Sequence, residues 1–297
     1  MAFSVAPVSP ADILPAARLL FAAAPSSERE SRAERFADLI ATGEIDPAGL
    51  LLAKKKGKAV GAVVVQLLPG GSAVALPPAP ERGEACDTLA AAAVEYLRTH
   101  SAVIAHTFLD PADVSQAEPL LRHGFRFAAA ITHMLRDLEH LPPPPSGLTF
   151  TPSEADADSF GQALIATYTG SLDVPEANTD RRPEQILAGY RPGQPDPPHW
   201  WLARTPAGEP VGVVILISPR EAPAWELGYL GVVPSARGHG HGQRLLRFAM
   251  HTIQALGGKH MTLSVDTRNE PALSVYRRHG FRSYQEQRVF LWRADGS

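Results

Sequence analysis

Hydrophobic positions change their period most sharply between Trp225 and Leu256. Trp225-Glu226-Leu227-Gly228-Tyr229-Leu230-Gly231-Val232-Val233 is a β-prone apolar run broken by one carboxylate, and Pro234, which cannot donate to a sheet ladder, ends it. Further on, apolar side chains recur at 245, 246, 249, 250, 253 and 256, the spacing of a helix buried along one side. Between the two periods stands Arg237-Gly238-His239-Gly240-His241-Gly242. The pattern predicts a strand, a glycine-rich turn and a helix whose start the glycines occupy.

The neighbouring segments read in the same way. A strand is expected at Leu148 to Pro152, then a helix from Glu154 to Thr169 with Ser153 as its candidate cap, and a loop and helix through Tyr190. His199 to Arg204 and Val211 to Ile217 predict a hairpin about Pro206-Ala207-Gly208-Glu209. After the central helix, which should end at Gly257-Gly258, come a strand at His260 to Val265, a further helix, and a last strand near Arg288 to Trp292. In that further helix Asn269 is the N-cap, Pro271 sits in the first turn where its missing N–H is harmless, and Gly280 closes the end.

Leu141-Pro142-Pro143-Pro144-Pro145-Ser146-Gly147 favours stiff, extended polyproline that neither helix nor sheet absorbs. It divides the chain into 1–140 and 148–297, with 141–147 as the linker. The halves are related: Arg122-His123-Gly124-Phe125-Arg126 recurs as Arg278-His279-Gly280-Phe281-Arg282, 156 residues on (278 − 122), and Pro78 maps onto Pro234. Ala59 to Val64 resembles Pro210 to Ile215, and Asp87 to Arg98 has helical character like Gln243 to Ile253. A tandem duplication of one unit follows.

The chemistry of the glycine turn is that of an anion site. The first turn of a helix presents unpaired N–H groups and the positive end of the macrodipole, glycines let the main chain approach a phosphate, and Arg237 adds a fixed charge. A Walker A loop requires Lys-Ser/Thr after its glycine, whereas Gly242 is followed by Gln243-Arg244. A dinucleotide fingerprint requires a third glycine where Gln243 or Leu245 stands. Both fail.

The segment instead resembles the acyl-CoA loop of the GCN5-related N-acetyltransferase (GNAT) superfamily, Arg/Gln-x-x-Gly-x-Gly/Ala, filled by Arg237, Gly240 and Gly242 after Val232-Val233-Pro234. Asn269 to Phe281 resembles the family's next motif, Asn-x-x-Ala-x-x-x-Tyr-x-x-x-Gly-Phe, at every named position: Asn269, Ala272, Tyr276, Gly280, Phe281. The resemblance implies an α/β (α+β) fold of two tandem GNAT-like domains, each a mixed, mainly antiparallel twisted sheet flanked by helices. It implies acetyl-CoA as co-substrate, no metal, and a primary amine acceptor, either a small molecule or a peptide. The tandem layout resembles that of the mycothiol synthases, which leaves the acceptor open.

Residue roles follow from the same resemblance. Val232 and Val233 would offer main-chain groups to the pantetheine arm, Arg237, Gly238, His239, Gly240, His241 and Gly242 would form the diphosphate cradle, and Asn269 would hydrogen-bond the cofactor. An amine of pKa near 10.4 is unprotonated only about once in 2,500 molecules at pH 7, a deficit of about 4.6 kcal/mol, so a base is useful. Glu226, the one ionisable side chain in the central strand, is the candidate base, directly or through a water, and Tyr276 the candidate acid toward the departing thiolate. Each also has a structural reading: a carboxylate that only bonds the acceptor or ends at a sheet edge, a core tyrosine with a backbone partner, a plain N-cap at Asn269, core valines at 232 and 233. His239 and His241 have no third ligand nearby in sequence and read as loop positions rather than a metal pair.

In the first copy, positions 237, 240, 242 and 276 map to Glu81, Glu84, Cys86 and Leu120. Carboxylates repel a diphosphate, so this half is expected not to bind acyl-CoA and to be structural or to help shape the acceptor cleft. Tyr168 to Tyr190 with Trp200 and Trp201 are the expected acceptor walls, and Asp173, Glu176 and Asp180 would favour a cationic amine.

Bulk properties agree. With 297 residues, 44% of them hydrophobic, the chain can bury two cores; a net charge of −3 gives no basic face for nucleic acid or a membrane surface. One cysteine, Cys86, excludes an internal disulfide framework and suits a reducing cytoplasm. The apolar patch from Ile13 to Ala24 is interrupted by Pro15 and Arg18 and reads as no signal peptide, and no run reaches the length of a membrane span.

Overall fold

The computed structural model describes residues 3–79, 83–177, 182–191, 198–218 and 224–294. Glu81 and Asp180 lie outside them, and Glu84 is described in backbone only. The chain forms two compact units, Met1–Ala128 with Arg288–Ser297, and Ala129–Gln287. Each unit is a mixed α/β assembly.

The first unit contains β1 (Ser4–Pro7), α1 (Ile13–Leu20), α2 (Arg29–Ala41), β2 (Leu50–Lys55), β3 (Lys58–Leu68), β4 (Ser72–Ala75), α3 (Glu84–Thr99), β5 (Ile104–Leu109) and α4 (Glu118–Arg122), and the start of β6 (Arg126–Asp137). Strands β1 to β4 pair antiparallel in order, and β4 pairs with β5 in parallel.

The second unit takes the rest of β6, then β7 (Thr149–Pro152), α5 (Ala157–Tyr168), α6 (Pro183–Tyr190), β8 (Trp200–Arg204), β9 (Pro210–Ile217), β10 (Ala224–Val232), α7 (His241–Ala255), β11 (His260–Asp266), α8 (Glu270–Arg278) and the start of β12 (Arg282–Arg293). Strands β7 to β10 are antiparallel, β10 and β11 parallel, and β11 pairs antiparallel with residues 131–137 of β6.

The repeat is exact in length for the last strands: β6 and β12 start and end 156 residues apart (282 − 126, 293 − 137). Yet each strand serves the unit of the other copy. Residues 288–293 of β12 pair with β5 in the first unit, while β6 supplies the outer neighbour of β11 in the second. The compact units therefore divide within β6 and β12, which differs from the 1–140 and 148–297 division expected from the prolines. The proline run is held along α7: Arg247 donates to the Pro143 carbonyl at 2.8 Å, His251 Nε2 to Pro142 at 2.8 Å, and Gln254 to Leu138 at 2.6 Å. A sequence in extended polyproline has free carbonyls, and the polar side of α7 uses them.

The second unit's sheet is packed on both faces. Leu245, Leu246, Ala249, Met250 and Ile253 of α7 are fully buried, packed with Trp225, Leu227 and Leu263. Phe160, Ala163 and Leu164 of α5 pack with Trp200, Val213 and Ile215. Burial of each large aliphatic side chain contributes roughly 1.5–3 kcal/mol, which fixes the helix against the strand. Leu256, the last residue of the helical spacing, lies beyond the end of α7 and is 47% exposed. The cap of α5 also differs from expectation: Asp156, not Ser153, accepts from the Ser159 N–H at 3.2 Å, and Ser153 to Ala155 form a separate short 3₁₀ turn. No helix among the described residues is long and apolar enough to cross a membrane.

A fragment ending at residue 140 keeps β5 but loses the strand that pairs with its outer edge. It should fail to unfold cooperatively in urea when produced alone, and regain a sigmoidal transition when residues 141–297 are co-expressed. A cooperatively folding lone fragment would contradict the exchange of last strands.

Candidate active site

Two adjacent strands that part company create the opening. The β10–β11 ladder runs from Ala224/His260 to Leu227/Leu263 and stops, while β10 continues along β9 after a register shift between Leu227 and Tyr229. The residue passed over is Gly228; a Cβ there would lie 2.7 Å from the Ile217 side chain. Past that point the strands diverge around a cavity of about 530 Å³ lined by Leu227 to Val232, by Leu263 to Val265, and by α8 residues including Tyr276. Main-chain groups of β10 that would otherwise pair with β11 face this space.

The glycine turn closes one end. Gly238 and Gly240 have φ of +81° and +73°, in the left-handed region where only glycine is free of strain. Gly240 is the N-cap of α7, no side chain caps that helix, and its first turn carries no acid. Gly238, Gly240, His241, Gly242 and Gln243 all line the cavity. A fifteen-residue helix thus points uncapped amides at an open space beside a divergent strand pair, and the donor set fits a diphosphate. In the first unit the equivalent helix, α3, carries different residues at its start: Cys86 is buried there, and Asp87 in the first turns accepts from Arg122 at 2.8 Å.

Arg237 lies on the cavity wall, but its guanidinium is engaged with main chain. It donates to the carbonyls of Val232 at 3.1 Å, Thr167 at 2.9 Å and Gly170 at 3.3 Å. Its geometry makes it a clamp that ties the turn to the C-terminal end of α5, its charge standing behind the cradle rather than reaching into it. Val232 lines the cavity; Val233 does not, because its N–H pairs with the Val211 carbonyl at 2.9 Å and its side chain packs under α5. His239 also stays off the wall, its Nδ1 bonded to the Arg237 carbonyl at 2.8 Å, whereas His241 lines it with a pKa pushed down by burial and by Arg244. Among the described residues no group of three or more His, Cys, Asp or Glu is arranged to hold a metal ion.

Asn269 caps α8 through its side-chain oxygen, which accepts from the Ala272 N–H at 3.3 Å, and it lines the cavity as well. Tyr276, two turns further, is buried and lines the cavity; burial, and secondarily the Asp173 carboxylate, pushes its phenol well above the ordinary value. Glu226 is not among the lining residues. It stands on the exposed side of β10; although the residue as a whole is exposed, protein packed around the carboxyl raises its pKa, and the His133 imidazole acts in the opposite direction.

The loop before α6 carries features the sequence did not disclose. Asp173 lines the cavity, its pKa raised by burial, and accepts from the Asp266 N–H at 2.9 Å; Asp266 in turn accepts from the Val174 N–H at 3.2 Å. Asp266 is fully buried: burial pushes its carboxyl up, and bonds from Arg268 outweigh that and hold it low. Arg268 reaches on to Glu176 at 2.7 and 2.8 Å. Of the acids expected to select a cationic acceptor, Glu176 is therefore paired within the protein and Asp173 lines the cavity; Asp180 lies outside the described residues.

Residues 164–281, from the end of α5 to Phe281, match the Acetyltransferase (GNAT) family. Among solved structures, the chain is similar to a GCN5-related N-acetyltransferase from Sphaerobacter thermophilus, at 24% identity over 98% of this chain and 95% of that one, with a TM-score of 0.63. It is likewise similar to a tandem GNAT protein from the clavulanic acid biosynthesis pathway (17% identity, 99% of both chains, TM-score 0.52). A third likeness is to the GCN5-related glucosamine N-acetyltransferase region of a fungal multi-domain β-N-acetylglucosaminidase (17% identity, 98% of this chain, 38% of that one, TM-score 0.65). These likenesses establish the fold. No curated protein sequence matches the chain significantly.

Replacing Asp266 by Asn removes the charge that Arg268 chelates and should lower stability in urea by about 2 kcal/mol at pH 7. Because the folded carboxyl titrates below its unfolded value near 3.9, the wild type's advantage is present above that pH and should shrink as pH falls below it. An advantage that grew on acidification would contradict the assigned pairing.

Proposed function

We propose that the protein is an acetyl-CoA-dependent N-acetyltransferase whose single acyl-CoA site lies in the second unit, acting on a primary amine by direct attack in a ternary complex. The observation that carries the reading is the uncapped start of α7 opening onto the wedge between β10 and β11. Amides of Gly238 to Gln243 would hold the diphosphate, main chain of β10 up to Val232 would pair with the pantetheine arm as an added strand, and Asn269 would bond the arm from α8. Bound acetyl-CoA supplies the acyl group and a thiolate leaving group.

Tyr276 is the hydroxyl that serves the leaving side. Its raised pKa keeps it protonated through the physiological range, and makes complete proton loss costlier than the roughly 2 kcal/mol separating an ordinary phenol from a thiol. Hydrogen-bond donation that strengthens as the C–S bond breaks suits such a group. Asp173, an acid that lines the cavity, would attract the acceptor's positive charge. Glu226 assists removal of the amine proton through an intervening group rather than by direct contact, since its side chain lies off the cavity wall. That position also sustains a second reading, a non-catalytic acyl-CoA sensor.

A panel of primary amines with thiol release as the readout separates the two: turnover on at least one amine supports the enzyme, and tight acetyl-CoA binding with none supports the sensor. Glu226→Gln should lower turnover by roughly 100-fold and leave the acetyl-CoA Kd within about twofold. Equal rates would remove Glu226 from the mechanism.

A further inference from the structure

One polar cluster at the cavity has no role in the reading above. Ser264 of β11 lines the cavity, and its hydroxyl lies 2.8 Å from Nδ1 of His133 on β6. Nε2 of the same ring lies 2.9 Å from Oε1 of Gln287 on β12. An amide oxygen only accepts, so Nε2 carries the ring hydrogen; Nδ1 then presents a lone pair, and the Ser264 hydroxyl donates to it. Three side chains are thus aligned from the cavity wall to a base.

Strand register brings them together. Ser264 faces His133 directly across the β11–β6 ladder, and Glu226 faces Thr262 across the opposite edge of β11. Glu226, Thr262 and Ser264 alternate onto one side of the sheet, and His133 acts electrostatically on the Glu226 carboxyl. The ring of Tyr284 stands 6.0 Å from that of His133 on the same side. By sequence β6 is the last strand of the first copy, so the copy that lost its own cradle contributes a side chain to the site of the other.

We propose that Ser264 and His133 form the route by which the acceptor ammonium loses its proton, with Gln287 fixing the imidazole tautomer and Glu226 stabilising the imidazolium that results. The proposal rests on the acyl-transfer reading and supplies the group through which Glu226 acts. An ammonium N–H donates to Ser264 Oγ while the serine's own proton passes to His133 Nδ1, which leaves a neutral amine. The freed lone pair forms the N–C bond to the acyl carbon, and the C–S bond breaks with its electron pair on sulfur. The second amine proton goes to that sulfur on the Tyr276 side. Half-buried His133 then returns the first proton to solvent.

The test uses the full chain, acetyl-CoA and an amine that the wild type acetylates. Ser264→Ala and His133→Ala should each lower kcat about 100-fold, with the acetyl-CoA Kd from calorimetry within about twofold of wild type. The double variant should be little slower than His133→Ala alone, because the two residues act as one unit. Added imidazole should restore part of the His133→Ala rate, an effect that a merely structural histidine would not show. His133→Asn keeps an acceptor for the serine hydroxyl but cannot take up a proton, and should be folded, able to bind acetyl-CoA and slow. Unchanged kcat in His133→Asn or Ser264→Ala overturns the proposal, as does a His133→Ala loss that imidazole leaves untouched. A wild type that acetylates no amine overturns the acyl-transfer reading itself, and the relay with it.

Discussion

The structure depends on a mismatch between two strands. β10 and β11 begin as an ordinary parallel pair, and the ladder then fails because Gly228 takes up an extra residue on the β9 side. Backbone groups left without partners in a buried setting are costly, on the order of 1–3 kcal/mol each, so such a wedge calls for something to complete it. An extended amide-bearing arm would do that as a strand does. The uncapped start of α7, at the end of the same strand, supplies positive potential where such an arm would carry its phosphates. One irregularity thus sets both the place and the polarity of the site.

The surrounding interactions hold that irregularity in shape. Arg237 ties the turn to the end of α5 through three carbonyls, and Asp266 ties the end of β11 to the loop at Asp173 and Val174. Both are charged groups engaged with main chain, which fixes loop positions more firmly than apolar contact alone. The outer support of β11 is β6, a strand from the other copy, so the second unit cannot be assembled from the C-terminal half of the chain by itself.

Much of this was legible in the sequence, for identifiable reasons. The strand, turn and helix from Trp225 to Ile253 follow from a change of hydrophobic period punctuated by Pro234 and three glycines, and both the Asn269 cap and the Gly280 stop are local signals. What stayed hidden is non-local. β6 and β12 read alike, and nothing within either strand states which unit it will join. The Glu176–Arg268–Asp266 network links residues some 92 positions apart, and the engagement of Arg237 with carbonyls cannot be told in advance from engagement with a phosphate. Val233 and His239 illustrate the limit of a motif: they belong to it by position, and register or a single turn directs them away from the cavity. Ser264, His133 and Gln287 lie in three separate segments, so only strand pairing reveals them as a group.

The central claim is that main-chain amides at the start of α7 grip a diphosphate. Calorimetric titration of the full chain with coenzyme A and, separately, with pantetheine, which lacks the diphosphate, tests it most directly. Coenzyme A should bind at one site per chain and at least about 100-fold more tightly than pantetheine, a difference of about 2.7 kcal/mol. Equal affinities, or no uptake of coenzyme A, would contradict the account.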